Sequence, residues 1–242
     1  MDCALLGDTN DTNGCNDPLP IIPQGPMVDF EGDGWSTGEQ NTITASAIVT
    51  GTALARVINE QHPGWNVTPK EAFMLVYGDT VTFTKTGQSC LEATGYEGCW
   101  GRSTGRNSVE VYTDVLNANG RSRLNGDVHW AIHELGHSFV NAVGSSANPV
   151  KALTWVQENV DAFPNRPPSS SKDTFWGFAG GRWEWQRSSS GLPSEEFADM
   201  YLGWAYNRWE SNGYGGWTEA GQARASFMNY FMPFWIDIAI NQ

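Results

Sequence analysis

Apolar residues in the first third of the chain recur mostly at helical spacing. Ile43, Ala47, Val49, Ala53, Leu54, Val57 and Ile58 predict a helix over about 42–59, weakened but not broken by Gly51. The pattern then shortens. Phe73 to Tyr77 is a continuous apolar run and Thr80 to Thr84 alternates, with Gly78-Asp79 between them, which predicts a strand pair. Residues 87–105 are Gly-rich and predict a loop. Val109, Val111 and Val115 predict a further strand, with Ser108, Glu110 and Tyr112 on its other face.

The second half reads as helical. A helix is expected from about Val128 to Val143, with Asp127 as its N-cap and Gly144-Ser145-Ser146 as its stop. Others are expected over Pro149 to Ala162, Pro193 to Glu210 and Glu219 to Ala239, the last kinked or broken at Pro233. Residues 164–192 hold Pro, Ser and Gly clusters but also Phe175, Trp176, Phe178, Trp183 and Trp185. That is too aromatic for a linker and suits a packed loop or a substrate-facing wall. Residues 1–27 show no periodicity and read as an irregular lead-in. We therefore expect one α+β domain over 28–242, with an upper half to about 144 and a mainly helical lower half from 145.

Composition narrows the partners. There are 27 Asp and Glu against 14 Lys and Arg, a formal charge of -13, which repels phosphate backbones and anionic membranes. The densest basic cluster is Arg121 with Arg123. No apolar run approaches the length of a membrane span. Met1 is followed at once by Asp2, without the features of a secretory leader. The chain is then either cytosolic or had its leader removed.

The cysteines favour export. Cys3 with Cys15 and Cys90 with Cys99 form two local pairs in loop-like segments, suited to small disulfide-closed loops rather than to Cys-x-x-Cys zinc binding. The run Asp8 to Gly14 is dense in oxygen ligands and is a candidate Ca2+ loop. It lacks the bidentate Glu that closes an EF-hand, and a turn-rich lead-in is the simpler reading.

Chemistry concentrates in His133-Glu134-Leu135-Gly136-His137. Residues four apart share one face of a helix, so both imidazoles can reach one Zn2+. Glu134 lies beside the first ligand, placed to accept a proton from a metal-held water that then attacks a carbonyl. Gly136, lacking Cβ, admits close approach of another segment. An ordinary amphipathic helix with two His on one face is the competing reading. It must supply partners for both buried rings, which a metal does directly. His129 drifts off this face and either lines the site, caps a neighbour or packs beside Trp130.

A third ligand is sought downstream in Ser194-Glu195-Glu196-Phe197-Ala198-Asp199. Glu195 and Asp199 are four apart and share a helical face. Glu195 can bind the metal while Asp199 accepts the other ring N–H of a ligand histidine. Glu196 points about 100° away, toward solvent on this reading.

This pairing of His-Glu-x-x-His with a later Glu-x-x-Ala-Asp resembles the gluzincin group of zincin metallopeptidases, the thermolysin-like class. The resemblance implies zinc at His133, His137 and Glu195, Glu134 as general base and Asp199 in support. It also implies a small mixed sheet and helices above an active-site cleft, with Ser108 to Tyr112 as the cleft-edge strand that receives extended substrate. For oxyanion stabilisation Tyr206, Tyr214 and Tyr230 are candidates. Tyr214, in the Gly-rich 212–216 loop, is preferred. The 58-residue gap between His137 and Glu195 is long for the group, and Lys151 to Leu192 supplies the extra length.

The expected function is a secreted, monomeric zinc endopeptidase acting on proteins or peptides, including glycoproteins. One competing reading is a carbohydrate- or surface-binding module with a structural metal, suggested by 12 Trp; the intact Glu134 argues against it. Another is an intracellular protease of DNA-bound proteins, disfavoured by the charge and the paired cysteines.

Overall fold

The computed structural model describes residues 19–95, 99–116, 122, 124, 128–160, 192–209 and 217–242. Among these, seven helices and a four-stranded mixed sheet make a mixed α/β fold. Strand β1 (Val28–Glu31) lies parallel to β2 (Val81–Lys85), and β2 lies parallel to β4 (Ser108–Val111). Strand β3 (Gly101–Ser103) pairs antiparallel with β4 and forms one edge of the sheet.

Alternation divides the sheet into two faces. Val28, Val81, Phe83, Val109 and Val111 are buried on one side, whereas Asp29 and Glu31 are exposed on the other. In-register pairing of Phe30, Phe83 and Val109 concentrates this apolar surface. Against it pack helices α1 (Thr37–Gln61), α2 (Pro69–Tyr77) and α4 (Val128–Val143), with Trp130 of α4 6.4 Å from Phe83, centroid to centroid. The short α3 (Cys90–Thr94) precedes β3. Helices α5 (Pro149–Asn159), α6 (Leu192–Tyr206) and α7 (Glu219–Ile240) complete the lower part, α6 lying against α4, α1, α5 and α7. No helix among the described residues is long and apolar enough to cross a membrane.

Several expectations need correction. The run Phe73 to Tyr77 is helical, not a strand. Thr68 and Glu71 form a reciprocal capping box, Pro69 occupies the first turn, and Gly78 ends the helix at φ 77°. The expected loop over 87–105 contains both α3 and β3. Ser108 to Val111 is an interior strand bonded on both sides, so the edge belongs to β3, which folds back on β4 through Thr104–Asn107. Val115 lies in a 3₁₀ turn, Thr113–Val115, instead of continuing the strand. Helix α1 starts earlier than its apolar period suggests because Ser36 and Glu39 form a second capping box. Pro233 stands inside a helix that runs on to Ile240.

Cys90 and Cys99 are joined in a disulfide at a Cα separation of 5.6 Å, as their spacing suggests. Cys3, Cys15, the Asp8–Gly14 run, Asp127, the 164–191 aromatics and Tyr214 fall outside the described residues.

Candidate metal centre

Helix α4 is buried along Trp130, Ala131, Ile132, Leu135, Phe139, Ala142 and Val143, which fixes its rotation about its axis. That rotation turns His133 and His137 toward α6. The two helices run antiparallel: His129 meets Tyr206, His133 meets Asp199, and His137 meets Ser194. Their closest approach is at Gly136, where an added Cβ would sit 3.0 Å from Ala198 Cα and 3.1 Å from Tyr201 Cβ. The expected close approach at Gly136 is therefore present, with Ala198 as its small counterpart.

This packing brings His133, His137 and Glu195 together, their ligand atoms all within 4.8 Å of one another. His133 Nε2 is 3.1 Å from Glu195 Oε2, and His137 Nε2 is 3.4 Å from Glu195 Oε1. Bonds of about 2.0–2.1 Å in a tetrahedral zinc site place neighbouring ligand atoms about 3.3–3.4 Å apart. The two histidine-to-carboxylate separations, 3.1 and 3.4 Å, lie close to that spacing. The ring planes stand at 84° to each other with centroids 4.9 Å apart, and both Nε2 atoms approach the one Glu195 carboxylate.

The opposite ring nitrogens are held. His133 Nδ1 lies 2.8 Å from Asp199 Oδ1, and both side chains are almost wholly buried. His137 Nδ1 lies 3.2 Å from the Ser194 hydroxyl. An Nδ1–H bonded to an acceptor leaves the Nε2 lone pair free for a cation. Asp199 occupies the supporting position expected of it. Ser194 is a partner the sequence reading missed, although it directly precedes Glu195 on the same helical turn.

Glu134 is buried beside this group, and its Oε2 has no hydrogen-bond partner among the described residues. Burial raises its pKa, opposed mainly by the charges of His137 and His133. The backbone N–H of Ser103, at the sheet edge, also faces this carboxylate and favours its ionised form. Burial works against ionised Glu195 too, but the two imidazoles outweigh it and hold that carboxyl well below its ordinary range. Desolvation likewise opposes a charged His133, yet Asp199 and Glu195 hold its proton affinity well above normal.

Three imidazole and carboxylate donors with oriented rings fit a divalent cation. Among the described residues a buried carboxylate oxygen beside the donors is left without a partner, an acceptor available to a water or substrate.

Other expectations are placed differently. Glu196 is not a solvent residue: it is 2 % exposed and pairs with buried Arg224 of α7 at 3.7 Å. Its 100° rotation from Glu195 points it at a third helix. His129 packs edge-on against Tyr206, ring centroids 5.8 Å apart, and Tyr230 is exposed on α7. His62 stacks on Trp65 at the end of α1, away from the centre. Comparison of the chain with family models, curated proteins and solved structures finds no match.

Proposed function

We propose that this protein is a metal-dependent peptidase of gluzincin type, with zinc the expected ion. His133, His137 and Glu195 would hold the metal, and Asp199 and Ser194 fix the two imidazole rings. When bound, the ion supplies a Lewis acid that polarises a peptide carbonyl and acidifies a water. Glu134 would accept a proton through its Oε2 as the attacking water oxygen bonds to the peptide carbon, and would return it to the amine nitrogen as the C–N bond breaks.

The observation that carries this reading is Glu134 itself. A purely structural metal site gains nothing from a buried carboxylate with an unmatched oxygen beside its ligands, and burying one is costly. The surroundings suit proton transfer. Desolvation pushes the Glu134 pKa upward, toward the range of an efficient base.

Extended substrate would lie along β3 in place of the internal strand expected from sequence. Tyr112 N–H donates to Trp100 O and Thr104 N–H donates to Ser108 O. In antiparallel alternation the backbone groups of Gly101 and Ser103 then point away from β4, toward the open edge. The Ser103 N–H on that edge faces the Glu134 carboxylate, so a peptide added there would bring its carbonyl toward the centre.

The disulfide favours an oxidising compartment and hence a secreted enzyme. A charge of -13 disfavours nucleic acid as partner.

The test is Glu134→Gln in the zinc-loaded protein, assayed on unfolded casein and a mixed peptide library. Metal content measured by elemental analysis should be unchanged, while hydrolysis falls by at least about a thousandfold. Undiminished cleavage by the variant would exclude Glu134 as the base. Glycan binding by a wild type that cleaves nothing would favour the binding-module reading.

A further inference from the structure

Glu134, Ser138 and Asn141 stand at positions i, i+4 and i+7 of α4 and form a polar stripe beside the two histidines. All three face one short segment, the end of β3 and the turn that follows. The Ser103 backbone N–H faces the Glu134 carboxylate. The Ser103 hydroxyl lies 2.9 Å from the Ser138 hydroxyl, and Asn141 Nδ2 donates to Ser103 Oγ and to Gly105 O, each at 3.2 Å.

One assignment of protons satisfies every group. Asn141 spends one amide hydrogen on each acceptor, and Ser103 donates to Gly105 O at 3.1 Å. Ser138 then donates to Ser103 Oγ. Ser138 is fully buried, so its hydroxyl has no recourse to water. The segment is also held from outside: the Arg106 guanidinium donates to Leu75 O and Val76 O of α2 and to Ala239 O of α7.

From this we infer that Ser103, Ser138 and Asn141 are positioning residues that fasten the substrate-side edge strand to the metal-binding helix and so set the height of the strand above Glu134. The inference rests on the peptidase reading for its catalytic consequence, but the fastening itself does not. Beyond these hydrogen bonds, the three-residue strand meets α4 where Gly101 packs against Trp130 and where the Ser103 N–H faces Glu134. Sliding or lifting it would move a bound carbonyl away from the base while leaving the ligands in place. A displacement on the order of 1 Å in a reacting group costs up to about a hundredfold in rate.

The experiment compares wild type, Ser138→Ala, Ser138→Thr and Asn141→Ala, all zinc-loaded, on a fluorogenic peptide cleaved by wild type. Zinc stoichiometry should stay at the wild-type value. Ser138→Ala should lower kcat by roughly ten- to a hundredfold with KM changed less than about threefold. Ser138→Thr, which keeps the hydroxyl, should recover most of that loss, and Asn141→Ala should fall between. Hydrogen exchange of the 101–105 amides should speed up in Ser138→Ala and not in Ser138→Thr. Unchanged kcat and unchanged exchange in Ser138→Ala would overturn the inference. A loss that Ser138→Thr does not recover would overturn it too, by indicating general damage to α4. If wild type binds zinc and hydrolyses nothing, the peptidase reading fails. The fastening is then decided by the exchange measurement alone, faster exchange sustaining it and unchanged exchange refuting it.

Discussion

Asp199 and Ser194 hold corresponding nitrogens of the two candidate ligand rings, and the geometry ranks them. Asp199 is an ionisable acceptor 2.8 Å from His133 Nδ1, with side chains 1% and 3% exposed. A hydrogen bond to a charged group contributes about 1.5–3 kcal/mol, and each 1.4 kcal/mol is about tenfold in a binding constant. Asp199→Asn keeps an acceptor oxygen but removes the charge, so it should weaken zinc binding by roughly 10- to 100-fold, the usual range for such partners. The upper end is a ceiling. Asp199 also stabilises His133 when the ring carries a proton instead of a metal, and that share of the loss is common to the free and bound states. Ser194 is a neutral hydroxyl at 3.2 Å from a ring that is 17% exposed in its side chain. Ser194→Ala should cost about 0.5–1 kcal/mol, or two- to fivefold. Both constants can be measured by competition with a chromophoric zinc chelator at neutral pH, with far-UV circular dichroism to confirm folding. If Asp199→Asn binds zinc within threefold of wild type, or if Ser194→Ala is the more damaging, the reasoning is wrong.

Three further outcomes follow from the packing around the site. Gly136→Ala adds a methyl 3.0 Å from Ala198 Cα; overpacking of about 1–3 kcal/mol against a helix-propensity gain of about 1 kcal/mol predicts net destabilisation in urea and weaker zinc binding as α6 is pushed off. Tyr77 donates its buried hydroxyl to Leu135 O and accepts from Tyr201, each at 3.0 Å; Tyr77→Phe takes this partner from the buried Tyr201 hydroxyl and a second bond from the helical Leu135 carbonyl, and should lower unfolding stability by about 1–3 kcal/mol, whereas a protein equally stable to urea would refute that role. Replacing Cys90 and Cys99 together by Ser opens a loop with a separation of nine residues, for which the chain-entropy relation gives about 2.7 kcal/mol. Thermal unfolding of the variant should show a lower Tm, and an unchanged Tm would refute that contribution.

The candidate centre was legible in sequence because its logic is local. His133 with His137, and Glu195 with Asp199, are each a single helical step, and the step alone puts each pair on one face. Glu196 was not legible, because its surroundings depend on α7, more than twenty residues later, covering a face that looks free on an isolated helix. The run over 73–77 suits strand or helix equally by composition. The deciding signal was upstream, in Thr68, Pro69 and Glu71, whose capping chemistry selects the helix. Strand β3 carries no signal of its own: Gly101, Arg102 and Ser103 become a strand only by pairing with β4. Contacts such as Ser103 with Ser138 join residues 35 apart, and nothing in the local pattern of either segment points to the other.

Hairpin turns are ordinarily where a chain accepts insertions, because little is lost when an exposed tip grows. The turn between β3 and β4 departs from that expectation. Arg106, a residue of the turn itself, closes the carboxyl ends of two helices that are far apart in the sequence, and Gly78 has no side chain where that guanidinium lies. A tag, label or loop graft placed here would free three helix-end carbonyls at once. In this protein the hairpin tip is a poor place to engineer.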